Sequence, residues 1–351
     1  MSTLVAADPA AILPGTTVSH VSLSGADLST RDLSGCFFDN VDFRGANLSR
    51  ASLATSTLRQ CDLSSAVLDG AALDESRWEG STLNGASLRE AHASNTSFMR
   101  VSLVNAGFQS AQLESCLFDG CDLSEANFLD ARLHRSSTVN CRFERVNFSG
   151  ADLTRFSAAQ ASLTTALFKE TVLQQAFLVD ADLSGQHLAD CDLTQCQLTG
   201  ARLVRADFAG SILNMTRFDR AILSGARLMN VRAEQVRFAE ARLDSADLTG
   251  FSALVANFSD ADMTGARCEV ARFEQAMFAG VDLRRATLSG SRFVDCDLSH
   301  ADVSEAECAG ADFGNANFHA LVANKTHWAD AIIALTRATD PVRLRGERWQ
   351  A

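Results

Sequence analysis

The sequence predicts an all-β solenoid, a square coil of short extended segments that stacks on itself. Two regularities predict it. A large apolar residue, nearly always Leu or Phe, recurs at every fifth position over residues 18–318, and the residue two places before it is almost always small. The prolines lie outside this stretch, at Pro9, Pro14 and Pro341. Nothing in the composition therefore marks a linker between domains.

A period of five fits neither an α-helix nor a β-strand. Two inward residues in every five, one large and one small, suit a chain that turns a corner after each quintet. Four such sides close one turn, and successive turns would stack at the β spacing of about 4.8 Å. About fifteen turns would then give a rod roughly 70 Å long. Each turn buries its apolar side only against its neighbours, as in other solenoids.

The interior of such a coil is consistent with close packing. Residues one turn apart should stack, which predicts an aromatic column at Phe218, Phe238, Phe258 and Phe278, and another at Phe128, Phe148 and Phe168. Phe156 and Phe251 occupy small positions, but Ala158 and Ala253 follow them at the large ones. Such exchanges within a quintet conserve volume.

The ten cysteines follow the same register. Cys268 and Cys308 fall at the large inward position and the others at the small one, so all are predicted to point into the core, where Cys behaves as a small hydrophobe. Cys121 and Cys141 should stack on adjacent turns, which leaves a disulfide conceivable.

No catalytic residue, metal site or cofactor is predicted, and we expect a protein that is not an enzyme. The seven histidines lack metal-binding spacing, and the glycines mark corners of the coil instead of a phosphate loop. A narrow core filled with Leu and Phe also leaves no room for a substrate.

The recurring pattern A(D/N)LxG, as in Ala26-Asp27-Leu28 and Ala46-Asn47-Leu48, resembles the pentapeptide repeat family. The resemblance covers about residues 16–330. It implies a right-handed quadrilateral β-helix. It implies little about function, because one fold hosts many functions.

Four segments are predicted: an N-terminal cap (1–15), the β-helix (16–325), a C-terminal helix (326–339) and a basic tail (340–351). Caps are expected because an open β-helix leaves unpaired edges. Thr326 would start the helix, whose apolar face would carry Trp328, Ile332 and Leu335. This helix would be a simple cap or, as in several relatives, a homodimer contact.

The basic tail has two interpretations. It is either a frayed terminus or a docking segment, since Arg and Trp often anchor protein interfaces. The residues that would dock are Arg343, Arg345, Arg348 and Trp349.

A second candidate contact lies on the coil at 165–179. Its outward positions carry apolar groups where most turns carry polar ones, namely Leu167, Val172, Phe177 and Val179. Exposed apolar clusters mark interaction surfaces. They favour a scaffold or adaptor that binds an unidentified protein partner. The resemblance adds a version associated with secretion, because such proteins occur beside bacterial contact-dependent secretion genes.

The alternative function is DNA mimicry. Net charge is −12, and the resemblance includes acidic members that bind DNA gyrase in place of DNA. Arginines between residues 202 and 292 interrupt the acidity, however, and are expected to form surface ion pairs with the neighbouring acids. The same acidity argues against direct binding of nucleic acid. No apolar run is long enough for a membrane span and no secretory signal is evident, so we expect a cytoplasmic protein.

Overall fold

The computed structural model is a parallel β-solenoid followed by a short C-terminal helix, and it describes residues 5–6 and 8–349. The elements are β1 (Val5–Ala6), a 3-10 helix (Pro9–Ala11), β2 (Thr17–Ser19), β3 (Val21–Ser22), β4 (Phe37–Asp39), β5 (Thr57–Arg59), β6 (Arg77–Glu79), β7 (Ser97–Met99), β8 (Leu117–Asp119), β9 (Ser137–Val139) and α1 (Pro341–Trp349). They belong to two compact units, Met1–Phe177 and Leu178–Ala351.

The first unit is built on one continuous parallel sheet. Its seven strands follow the order β2-β4-β5-β6-β7-β8-β9, and each residue pairs with the residue 20 positions later, as Val18 pairs with Phe38. The other three sides of each turn are joined by isolated bridges of the same spacing, such as Asp27 with Asn47 and Asp32 with Ser52. The four-sided coil with a period of five is thus confirmed. At its start, β1 pairs with β3.

The second unit continues the same spacing through isolated bridges alone, from Asp182–Arg202 to Asn317–Arg337. The predicted count of about fifteen turns differs from the structure, in which the continuous sheet of regular strands spans only six steps. Corners every five residues leave too short an extended segment for longer strands.

The predicted aromatic columns are present. Phe238 stacks between Phe218 and Phe258 with ring centroids 4.9 and 5.0 Å away, and Phe148 stacks between Phe128 and Phe168 at 5.3 and 5.7 Å. The Leu and Phe positions of the repeat are buried from Leu23 to Phe313, which lets each turn cover the next.

The prediction for the cysteines needs one correction. All ten are free thiols, and nine are buried, but Cys141 is only half-buried. The turn that should cover it diverges locally at residues 162–165.

The corners explain the glycines. Gly25 and Gly150 both have φ near +67°, the left-handed region that glycine enters without strain. The same position often carries another residue type. Even Val270 adopts φ of +50° there, which is unfavourable for a β-branched side chain.

The predicted helix at 326–339 is wrong. This segment forms another turn of the solenoid, in which His327, Ile332 and Arg337 pair with residues of the preceding turn. The open edge of that turn offers backbone partners at every side, and the five-residue register continues through Trp328 and Ile333. The helix lies instead at Pro341–Trp349, within the predicted basic tail. Within the described residues, no helix is long and apolar enough to cross a membrane.

Candidate interaction surfaces

The apolar coil at 165–179 does not form a single patch. Leu167 and Phe177 are 55% and 51% exposed, whereas Val172 and Val179 are half-buried. Leu167, Val172 and Phe177 extend three separate columns of bridges, so they point from three different sides of the turn. Each exposed side chain is therefore an isolated apolar group of the kind that is common on protein surfaces.

An inward position is exposed at the C-terminal turn, residues 319–337. Ile333 continues an inward column one turn after Phe313, yet it is 54% exposed because it belongs to the last turn. Trp328 packs its ring against Phe313 and Phe318 at 5.5 and 6.2 Å. Val322, Ile332 and Leu335 are also exposed, but Val322 and Ile332 extend different columns of bridges and Leu335 lies at a corner, so they point from different sides of the turn.

The same turn presents an open backbone edge. In the preceding turn, the N–H groups of Val303, Cys308 and Phe313 donate to carbonyls of the C-terminal turn at 2.7–2.8 Å. The equivalent donors one turn later belong to Ala323, Trp328 and Ile333. Among the described residues these N–H groups have no acceptor. The end of the solenoid thus combines apolar side chains with a free β-edge.

Helix α1 is held beside this turn by its cap and by a buried histidine. Asp340 caps the helix, because its Oδ1 accepts the N–H of Val342 at 2.8 Å and Pro341 takes the first helical position. The N–H of Asp340 donates to Nδ1 of His319 at 3.1 Å. The other ring nitrogen of His319, Nε2, lies 3.1 Å from Oε2 of Glu347 on helix α1.

His300, His319 and Glu347 form the one group in the described part of the chain whose ligand atoms could surround a metal ion, all within 4.8 Å. The hydrogen bonds argue against a metal there. A histidine that binds a metal normally donates its other ring N–H to an acceptor. Nδ1 of His319 instead faces an N–H donor, so the proton of the neutral ring lies on Nε2 and is donated to Glu347.

This cluster fixes the charge of Glu347. The hydrogen bond from His319, followed by that from Arg343, lowers the pKa of the Glu347 carboxyl to about 2. Arg343 contributes through its Nε, which lies 2.7 Å from Oε1. Glu347 fastens α1 to the corner through His300 and His319, and Arg343 holds the Glu347 side chain in place from the same helix. We call this group the helix clasp.

The predicted docking residues of the tail are on this helix. Trp349 is 91% exposed, whereas Arg343 is engaged with Glu347 and Arg345 donates to the carbonyl of Pro341 at 3.2 Å. The side chain of Arg348 lies outside the described part of the structure. Of the docking residues whose side chains the structure describes, Trp349 is the one that is exposed and has no hydrogen-bond or ion-pair partner.

The expected ion pairs are present on the second unit. Nη1 of Arg227 lies 3.0 Å from Asp207, and Nη1 of Arg267 lies 3.8 Å from Asp247, in each case one turn earlier. Similar pairs engage Arg237, Arg242, Arg272 and Arg292. Basic groups thus interrupt the acidic surface of this unit, and each exposed pair contributes little to stability.

Comparison with known families identifies the repeat. A profile for the pentapeptide repeat region matches residues 31–108 and 91–157, and a profile for pentapeptide repeats in eight copies matches residues 141–185, 187–225, 256–293 and 291–320. No curated protein sequence matches the chain.

Several solved structures share the repeat. A pentapeptide repeat protein from the thylakoid lumen of Arabidopsis thaliana is 28% identical over 30% of this chain and 72% of its own, with a TM-score of 0.28. QnrB1, a plasmid-mediated fluoroquinolone resistance protein, is 16% identical over 68% of this chain and 97% of its own, with a TM-score of 0.32. HetL, involved in heterocyst differentiation regulation in the cyanobacterium Nostoc, is 19% identical over 90% and 88%, with a TM-score of 0.17.

Proposed function

Because the chain belongs to the pentapeptide repeat family, we propose that it is a non-enzymatic scaffold that assembles with a second copy through its C-terminal turn and displays its repeat surface to a protein partner. The observation that carries this proposal is the exposed Ile333 beside the free N–H groups of the same turn.

A second copy suits this surface for two reasons. It would present an identical open β-edge, and edges of this kind pair with one another unless something blocks them. It would also bring the same apolar side chains, so that burial on both sides would add to the backbone hydrogen bonds. Ile333 stays exposed although helix α1 is fastened to the corner at His300 and His319.

The surface of the second unit supports the scaffold more than the DNA mimic. A mimic of duplex DNA needs sustained negative potential. Here Arg227 and Arg267 stand one turn after the acids that they neutralise. The patterned surface suits recognition by a protein whose charges match both signs.

The test is sedimentation velocity of the full chain over a range of concentrations, with Ile333→Asp and the control Val270→Asp. Both replaced side chains are exposed, but Val270 lies on a corner away from the C-terminal turn. The wild type and Val270→Asp should be dimers. Ile333→Asp should raise the dimer Kd by roughly tenfold or more, since a charge would be buried in the contact. A monomeric wild type, or an unchanged Kd for Ile333→Asp, would contradict the proposal.

A further inference from the structure

The stacking of turns in the first unit is interrupted on one side. On the sides before and after, the backbone pairs normally, as in the bonds from Thr138 N–H to the Ser157 carbonyl at 2.8 Å and from Leu167 N–H to the Val146 carbonyl at 2.9 Å. Between them, the N–H groups of Phe143 and Ser162 have no backbone acceptor among the described residues. The regular pattern would pair them with residues of the facing turn.

A change in the corner explains this opening. Strand β9 is the last strand on its side, so the chain passes the corner there in an extended conformation. One turn later the corner is a tight turn, in which the N–H of Ala161 donates to the Ala158 carbonyl at 3.3 Å. Two turns that leave their corners along different paths diverge over the next side. The N–H of Arg145 is then met by Oγ1 of Thr165 at 2.9 Å in place of a backbone carbonyl.

The divergence leaves a cavity of about 400 Å³ between the two turns. We call it the side cleft. Its lining includes Cys141, Arg142, Glu144, Arg145, Ser162 and Thr165. Arg142 and Arg145 pair with the acids Glu144 and Glu125. The cleft is therefore polar, accessible and close to neutral, with a thiol at its edge.

A second thiol lies directly behind the first. Cys121 occupies the same inward position one turn earlier, and the two turns remain paired there, with the N–H of Arg142 on the Cys121 carbonyl at 3.0 Å. Stacked positions of adjacent turns have Cα atoms about 4.8 Å apart, within the disulfide range of about 4.4–6.8 Å. Cys121 is buried and Cys141 is half-buried, so a reagent in the side cleft meets Cys141 first.

The two thiols differ from the other cysteines in reactivity. The proximity of the two thiols lowers the pKa of Cys141 and raises that of Cys121. Burial instead raises the pKa of Cys61 and of Cys116 to about 12. The thiolate is the reactive form, so Cys141 is the better nucleophile.

We propose that Cys141 and Cys121 are a redox-active pair, in which a small disulfide oxidant enters the side cleft and is reduced by them. The Cys141 thiolate attacks the oxidant, forms a mixed disulfide and releases one thiolate. Cys121 then loses its proton and attacks Cys141 in that mixed disulfide, which forms the Cys121–Cys141 bond and releases the second thiolate. The protein loses two electrons and two protons, and the oxidant becomes two thiols.

The test treats the reduced full chain with oxidised glutathione and follows it by intact-mass and peptide mass spectrometry. The wild type should lose two of its ten free thiols and yield a cross-linked Cys121–Cys141 peptide. Cys121→Ser should instead hold one stable glutathione adduct at Cys141. Cys141→Ser should hold none.

Cys61→Ser is the matched control, because Cys61 lies in the same column but is buried, and it should behave as the wild type. Serine is tolerated at this position of the repeat, as Ser56 and Ser81 show. The proposal is overturned if Cys141 takes up no glutathione in Cys121→Ser. It is equally overturned if the wild type keeps both thiols or if other cysteines react as readily.

Discussion

Phe251 and Ala253 provide a direct test of how the core is filled. Phe251 stands at the small position of its quintet and Ala253 at the large one, and both are fully buried. The ring of Phe251 has its centroid 6.3, 6.4 and 6.0 Å from those of Phe238, Phe258 and Phe273. It therefore fills the space that a large residue at 253 would take. The test is to exchange the two residues by making Phe251→Ala and Ala253→Phe, singly and together.

The expected magnitudes follow from this shared volume. Phe251→Ala alone should cost about 3–5 kcal/mol, because a buried ring leaves a cavity. Ala253→Phe alone should cost about 1–3 kcal/mol by overpacking. Independent sites would give a double variant at about 4–8 kcal/mol. We expect less than about 2 kcal/mol, since the exchange conserves volume and a ring at 253 would extend the column of Phe273 and Phe293, whose centroids are 5.0 Å apart.

Urea unfolding monitored by circular dichroism supplies the four free energies of this double-mutant cycle. The control pair is Phe251→Ala with Ala206→Phe, two sites more than two turns apart, which should be additive to within about 0.5 kcal/mol. If the Phe251/Ala253 pair is also additive, the two positions do not share one volume and the explanation of the exchanged quintets fails.

Two further predictions concern the helix clasp and the corners. The pKa of Glu347 is about 2 in the folded chain against an ordinary 4.5, so its contribution to holding α1 is complete above pH 4.5 and is lost as pH falls towards 2. Relative to the intrinsic exchange rate at each pH, hydrogen exchange of residues 341–349 should accelerate over that window. A Glu347→Gln variant with the same pH-dependent acceleration as the wild type would disprove this. Val270→Asn should stabilise the second unit by about 1 kcal/mol in urea unfolding, because Asn tolerates the left-handed backbone. Val322→Asn, at a paired position, should give no such gain.

The fold could be predicted from the sequence because one pattern is repeated without interruption. The alternation of Leu or Phe with a small residue defines the side, the corner and the stacking partner of each quintet, which is why the column of Phe218, Phe238 and Phe258 was predictable. The C-terminal boundary was mistaken because Trp328 and Ile332 also suit a helix face. Asp340 followed by Pro341, a cap residue and a first-turn proline, is the signal that locates α1.

The helix clasp was harder to predict. His300 and His319 are almost one turn apart, which could have indicated that they stack, but Glu347 reaches them from helix α1, which follows the last turn. The side cleft was harder still. It depends on a switch from an extended to a tight corner between residues 137 and 161, and both corners are compatible with the same five-residue pattern.

The C-terminal turn and the side cleft show where function should be sought in a solenoid of this kind. Outward positions such as Leu167 and Phe177 are presented by every turn, and their neighbours in the column are polar, so an apolar residue there remains isolated. An inward residue becomes accessible only where the next turn is missing or diverges, as at Ile333 and Cys141. At the same places, backbone donors such as those of Trp328 and Phe143 lose their acceptors. We therefore expect binding energy and reactivity to be concentrated where the stacking of turns ends, because at these places apolar or thiol groups and free backbone groups occur together.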